Sequence, residues 1–307
     1  MAEITAKQVA ELRKMTGCGM MDCKKALKET NGDFDEAIKF LREKGLSVAA
    51  KKADRIAAEG VVDILKEGNV TAMIEVNAET DFVAKNEEFR NFVHGTLETI
   101  IKCRPADVEA LKACKFADTD MTVADALVEK IATIKENMTI RRFMVVEGVT
   151  STYIHGHGQT GVIVSFDTDC ADKDGFAEYA KNIALQVAGA GTPAQYTYKE
   201  EVPASVLEEE KTVIMAAIKN DPANAKKPDA IIEKMTLGKL GKFYSANCLV
   251  EQEYVKDDSM TIAKYTEATA KELGGSIKIK SFCRYEKGEG LQKREENFAE
   301  EIAKLVK

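Results

Sequence analysis

The chain has 307 residues, 45% hydrophobic and 31% charged, with 44 Lys and Arg against 51 Asp and Glu and a net charge of −7. This length exceeds what one hydrophobic core organises, so two or three packed units are expected, and the composition excludes a disordered chain. The acidic balance, without any Lys/Arg block, argues against a nucleic-acid partner, and apolar runs are broken well before the roughly 20 residues that a bilayer requires, so no membrane is expected.

Thr5 followed by Gln8 forms a capping box, with Ile4 and Val9 placed as a hydrophobic staple. A first helix is therefore expected from Ala6, carrying Val9, Leu12 and Met15 inward and stopped by Gly17. A second runs from Met20 through Ala26 and Leu27 to Gly32. Asp33 with Glu36 caps a third, whose stripe is Ala37, Ile38 and Leu41, and Gly45 is expected to close a compact three-helix unit. The Ala- and Lys-rich stretch from Ser47 to Glu59 reads as a helical connector, which would leave that unit outside the body.

From Gly60 the period changes. Val61 to Leu65, the turn Glu67-Gly68-Asn69, and the alternation of Val70, Ala72, Ile74 and Val76 predict a hairpin. Phe89, Phe92, Val93, Leu97 and Ile100 recur at helical spacing, Leu127, Val128 and Ile131 mark another helix, and Arg142–Glu147 with Thr152–Asp167 return to strand character around a Gly-rich turn. A helix is predicted over Asp174–Ala188. Pro203 opens another, Asp221-Pro222 interrupts it, and Pro228 opens a second through Met235 to Phe243, giving a helical hairpin. Thr261–Leu273 is helical, Ile277 to Tyr285 alternates as a strand, and Phe298, Ile302 and Leu305 sit on a final helix. The fold class is α+β, and the stretches Val61–Asp167 and Thr261–Tyr285 are candidate halves of related design.

The chemical signals are sparse. There is no phosphate-cradling loop, and Gly17-Cys18-Gly19 lies between helices rather than after a strand, so no dinucleotide fingerprint and no bound nucleotide are expected. Of the three histidines, His155 and His157 share a Gly-rich turn, where a solvated loop tip is preferred to a metal pair. Cys18 and Cys23 lack a second pair at zinc spacing, and the seven scattered cysteines fit reduced, packed thiols and a cytoplasmic setting. Histidine is too scarce for a nucleophile, base and orienting group to be assembled readily. Neither a metal nor a cofactor is expected, and the chain reads as a non-enzyme. Two features suggest a protein partner: the consecutive Met20-Met21 at an exposed helix start, and Phe82 on the loop Thr80-Asp81-Phe82 that leaves the hairpin. On residue pattern alone, core packing of Phe82 and of one methionine stays open.

The run Leu12-Arg13-Lys14-Met15-Thr16-Gly17-Cys18-Gly19-Met20-Met21-Asp22-Cys23-Lys24-Lys25-Ala26-Leu27 resembles the amino-terminal signature of the elongation factor Ts family. A second run, Glu75-Val76-Asn77-Ala78-Glu79-Thr80-Asp81-Phe82-Val83-Ala84-Lys85, resembles another signature of that family, departing at Ala78, where Cys or Ser is expected. Further likeness runs through Glu136-Asn137 to Arg142, the turn Tyr153-Ile154-His155-Gly156, and Phe282 to Gly290. The stretch from Pro203 to Phe243 matches least well.

The resemblance implies a guanine-nucleotide exchange factor that binds elongation factor Tu (EF-Tu), in its GDP-bound and nucleotide-free states, and drives GDP off it. It implies a ubiquitin-associated-like domain with its connector over residues 1–54, a core subdomain over 55–148, and a second over 149–200 with 245–285. A coiled-coil helical hairpin would occupy 201–244, with homodimer pairing through it as a further option, and a C-terminal module 286–307. It places Asp81, Phe82, Val83 and Ala84 against the GTPase domain, where Phe82 would disturb the bound magnesium, together with Leu12, Arg13, Met20 and Met21. His155 would reach the same partner from the second subdomain. The competing expectations are a small metal-dependent enzyme using the turn His155–Gly161, and a ubiquitin-associated-like adaptor, which leaves Asp81 and Phe82 without a role.

Overall fold

The computed structural model describes residues 4–16, 18–224 and 227–292. Helix and strand are mixed along the chain, as the α+β reading expects. It divides into two units: the chain up to residue 145 with 156–160 and the stretch from 285, and residues 146–155 with 161–284.

In the first unit, Thr5 and Gln8 close the expected capping box, with the Gln8 amide donating to Thr5 Oγ1 at 3.3 Å and the Thr5 amide to Gln8 Oε1 at 3.0 Å. Helix α1 (Ala6–Thr16) follows, then α2 (Met20–Glu29) and α3 (Phe34–Ala50), the last capped by Asp33, which accepts from the Glu36 amide at 2.9 Å. Val9, Leu12, Cys23, Ala26, Leu27, Ala37 and Leu41 form a small core among them. Met15, expected inside, is 60% exposed. Two steps of three residues fall about 120° behind a 3.6-residue turn, so Met15 has rotated off the face that Val9 leads. Gly17 lies outside the described residues.

Strand β1 (Glu59–Glu67) pairs antiparallel with β2 (Val70–Ala78), from Glu59 opposite Ala78 to Glu67 opposite Val70, so Gly68-Asn69 is the turn. The chain continues as α4 (Asp81–Ala84), α5 (Glu87–Cys103), α6 (Val108–Ala113), α7 (Val123–Ile134) and β3 (Met138–Glu147), and the sheet order is β1-β2-β3. The alternating Val70, Ala72, Ile74 and Val76 pack with Phe89, Phe92, Val93, Leu97 and Ile100 of α5. Every residue of β2 is buried, so its other face, Thr71, Met73, Glu75 and Asn77, is covered as well.

Gly45 does not end the third helix. A Cβ there would lie 3.4 Å from Val128 Cγ1 and 3.6 Å from Ala132 Cβ, so the missing side chain lets α3 lie against α7. The three-helix unit is thereby packed on the body rather than hung outside it. Gly45→Ala fits at ordinary contact distance and gains about 1 kcal/mol of helix propensity. Gly45→Val adds methyls where α7 already stands and is expected to cost about 1–3 kcal/mol. Opposite shifts in urea midpoint for the two variants would establish the contact.

The second unit contains, in chain order, β4 (Val149–His155), β5 (Thr160–Thr168), α8 (Phe176–Gly189), α9 (Ala204–Asn220), α10 (Asp229–Asn247), β6 (Glu253–Tyr254), β7 (Asp257–Thr261), α11 (Ile262–Glu272) and β8 (Ile277–Glu286). Its three-stranded sheet has the order β4-β5-β8, and β6 pairs antiparallel with β7. Val162, Val164, Phe166, Phe176, Tyr179 and Ile183 centre its core. Two three-stranded sheets with covering helices do occur, but not as the two sequence blocks expected. The chain leaves the first sheet at Gly148, whose φ of 105° turns the backbone sharply, and β4 and β5 join the second.

Pro203 and Pro228 precede α9 and α10 as expected. The two helices share a core of their own, made by Ile214, Ile218, Ile232 and Leu240. The predicted final helix around Phe298, Ile302 and Leu305 lies outside the described residues. Among those described, no helix is long and apolar enough to cross a membrane.

Candidate functional site

Phe82 is 79% exposed, the largest exposure of any bulky apolar side chain described. It projects from α4, a single helical turn rather than the loop expected, and three constraints fix that turn. Below it, Val83 and Ala84 are buried in the core of the first unit. On the entry side, Glu136 accepts both the Thr80 amide at 3.0 Å and the Thr80 hydroxyl at 2.7 Å. The hydroxyl is thereby used away from the helix, which explains why the N-cap Thr80 makes no side-chain cap bond. On the exit side, Asn86 accepts from the Glu88 and Phe89 amides at 2.8 and 3.3 Å and starts α5.

The clamp extends one residue each way. Glu79 accepts from the Asn137 amide at 2.6 Å, and the buried Asn137 side chain donates to the Arg55 and Ala53 carbonyls at 2.8 and 3.3 Å. Asp81 pairs with Lys85 one turn on, at 2.8 Å, and that hydrogen bond holds its carboxyl below the usual range. The Lys85 ammonium lies 6.0 Å from the Phe82 ring centroid. The site is thus an apolar ring on a pinned turn, with an exposed ion pair beside it.

Behind it, on the same strand that delivers α4, Glu75 is fully buried. It accepts from Arg141 at 2.9 Å, Arg142 at 2.6 Å, the Gly288 amide at 2.8 Å and Asn77 Nδ2 at 3.1 Å. Burial alone pushes its carboxyl up, but these donors together outweigh it and leave the group below the usual carboxylate range. The Arg142 guanidinium also lies 4.1 Å from the Tyr285 ring centroid. Gly288, at φ 69°, approaches so closely that a Cβ would stand 2.2 Å from the Ala58 carbonyl oxygen. Sequence reading placed Glu75 and Glu136 inside recognisable runs but gave neither a role. A lone acidic residue amid Ile74 and Val76 on a central strand was the available signal.

The other expected site residues are distributed as follows. Arg13, Met20 and Met21 are exposed around the α1–α2 turn, Met21 at 75%. Leu12 is fully buried in the three-helix core and supports that turn from inside. His155 is exposed in the second unit and its Nδ1 lies 3.0 Å from the Tyr153 hydroxyl. His157 belongs to the first unit, where its carbonyl accepts from Arg90 at 2.8 Å. Among the described residues, no group of three or more His, Cys, Asp or Glu is placed to hold a metal ion.

Comparison with known proteins agrees with the two signature runs. The family model for elongation factor TS matches residues 79–289. Elongation factor Ts of Syntrophotalea carbinolica is 45% identical over 308 residues, covering 99% of this chain and 100% of that protein. Elongation factor Ts of Clostridium kluyveri is 45% identical over 309 residues, with 99% of each chain covered, and that of Magnetococcus marinus 44% over 307 residues, again with 99% of each. With the match extending over nearly the full length of several such relatives, the chain belongs to the elongation factor Ts family.

Proposed function

We propose that this chain is a guanine-nucleotide exchange factor for EF-Tu, acting by insertion of Phe82 into the GTPase domain near the magnesium and phosphate site. It makes and breaks no covalent bond. The observation that carries the reading is the exposure of Phe82 on a turn pinned from both sides and from below. The backbone that carries the ring is already ordered, so binding has only the side chain itself left to order.

An exchange factor accelerates release only by binding the distorted or nucleotide-free GTPase better than the GDP-bound form, because coupling is a reciprocal difference in binding free energy. Each tenfold loss of GDP affinity takes about 1.4 kcal/mol. Burying one aromatic side chain yields roughly 1.5–3 kcal/mol. Phe82 therefore needs helpers: Asp81 beside it, Arg13, Met20 and Met21 at the α1–α2 turn with Leu12 holding that turn in shape, and His155 from the second unit. Val83 and Ala84 contribute by anchoring α4. Once magnesium is disturbed, the phosphate charge of GDP loses its main counter-ion and release follows.

The test is the release rate of fluorescent GDP from the cognate EF-Tu across a range of magnesium concentrations. Acceleration that saturates with this protein and weakens as magnesium is raised is the expected result. An unchanged rate at every concentration would remove the exchange reading.

A further inference from the structure

We propose that Glu136 is a positioning residue for nucleotide exchange, setting where Phe82 stands relative to the α1–α2 turn through its grip on Thr80. The inference rests on the insertion of Phe82 proposed above and gives a role to a residue outside the proposed contact set. Because α4 is a four-residue turn, too short to hold itself in place, the ring it carries goes where the ends of the turn are tied. Val83 and Ala84 fix its depth in the core. The entry end is left to Thr80, whose extended backbone (φ −130°, ψ 157°) would swing freely without a tether. Glu136 supplies that tether from separate oxygens, Oε2 accepting from the Thr80 amide at 3.0 Å and Oε1 from its hydroxyl at 2.7 Å. Two contacts on one residue fix direction as well as distance.

Glu136 is itself held from the other side. It follows Lys135, the C-cap of α7, whose left-handed φ of 66° turns the chain sharply. The Lys135 carbonyl accepts from Lys52 Nζ at 2.5 Å, and the buried Asn137 spans the Ala53 and Arg55 carbonyls with its side-chain amide. The residues on both sides of Glu136 are therefore tied to the connector that leaves α3, and α7 carries α3 itself at Gly45. Three consecutive residues gather the three-helix unit on one side and, through Thr80 and the Asn137 amide bond to Glu79, the turn of Phe82 on the other. Among the described residues no Lys, Arg or His pairs with the Glu136 carboxylate, so charge pairing does not account for its place; Thr80 takes both its oxygens. With the grip lost, α4 rocks about its buried residues, and EF-Tu has to order the backbone of the turn as well as the ring.

The experiment measures how far the full chain accelerates release of fluorescent GDP from EF-Tu when it carries Glu136→Gln, Glu136→Asp or Glu136→Ala, each with and without Phe82→Ala. Gln keeps the reach of Glu and both contacts, its oxygen accepting from the Thr80 amide and its NH2 donating to the hydroxyl oxygen. Asp keeps the charge but falls one methylene short. Glu136→Gln is expected to retain most of the acceleration, while Glu136→Asp and Glu136→Ala lose about three- to tenfold, the range for ordering one further element on binding. In the Phe82→Ala background each is expected to change the rate by less than about twofold, because the ring through which Glu136 acts is gone.

Glu136→Asp exchanging like the intact chain would overturn the proposal: with Glu136→Gln slow, the charge and not the position would be the active element, and with Glu136→Gln also fast, Thr80 would need no grip. A loss from Glu136→Asp that is equally large on top of Phe82→Ala would overturn it too, since the residue would then act through overall stability. Should Glu136→Ala fold poorly, the order of Gln above Asp still decides. If Phe82→Ala by itself leaves release unchanged, the inserted-ring reading fails and takes the proposal with it, whatever the Glu136 variants do.

Discussion

Phe82→Ala is expected to cut the acceleration of GDP release roughly ten- to a hundredfold, the equivalent of about 1.5–3 kcal/mol of lost aromatic burial. The same substitution should leave thermal unfolding almost unmoved. The ring is largely in water in the free protein, so its removal opens no cavity, and the turn that carries it is held by Thr80, Asn86, Val83 and Ala84 rather than by the ring. Stopped-flow release of fluorescent GDP, beside a thermal melt of the isolated chain, separates the two effects. A variant that exchanges normally would show that Phe82 is not the inserted group. One that melts early would show that the ring is part of the core after all.

Glu75→Gln should do the reverse, destabilising the chain by about 3 kcal/mol with no direct change at the proposed contact surface. Gln keeps the volume and can still accept from the Gly288 amide. It leaves Arg141 and Arg142 without their shared counter-charge in a partly desolvated setting, and breaking such a buried pair typically costs about 3–5 kcal/mol. The pH dependence gives a second signature. Because the folded carboxyl sits below the ordinary 4.5, the charged form is the one that folding favours. The stability gap between intact chain and variant should therefore be full above 4.5 and shrink as pH falls through the lower folded value. Urea midpoints for both proteins over an acid-to-neutral series would check it. A gap that widened in acid would mean that the folded chain prefers Glu75 protonated.

Local signals carried much of the fold. The capping box at Thr5, the turn at Gly68-Asn69, the prolines before α9 and α10, and the alternation in β2 each involve residues within a few positions of one another, where side-chain geometry dictates backbone geometry directly. Gly45 was misread because a glycine that ends a helix and one that admits a second helix look alike in sequence. The difference lies in Val128 and Ala132, more than eighty positions away. The short α4 and α6 escaped because four and six residues hold too little of a helical period to register.

The candidate site was legible in its tip and illegible in its supports. Phe82 stands out as an apolar residue directly after Asp81 on the stretch that leaves the hairpin, and the family signature names its neighbourhood. Nothing local reveals that Thr80 is gripped by Glu136, or that Glu75 gathers Arg141, Arg142 and Gly288. Charged residues that read as solvated on a chain with 51 carboxylates become distinctive only when burial shows which of them water does not reach.

The bond from the Gly288 amide to Glu75 joins residues 213 positions apart. A growing polypeptide therefore lays down the whole first sheet, including both arginines, and must hold a carboxylate that still lacks one of its donors while the second unit is translated. At about 5–20 residues per second, the stretch from Arg142 to Gly288 takes roughly 7–30 seconds to synthesise. During that interval Glu75 has its cations but lacks its final donor, and the strand leading to Phe82 rests on a half-built foundation. The clamp on Phe82 itself needs no residue beyond 137, so the tip of the proposed contact surface can form early, whereas the buried charge cluster behind it closes only after residue 288 has cleared the ribosome.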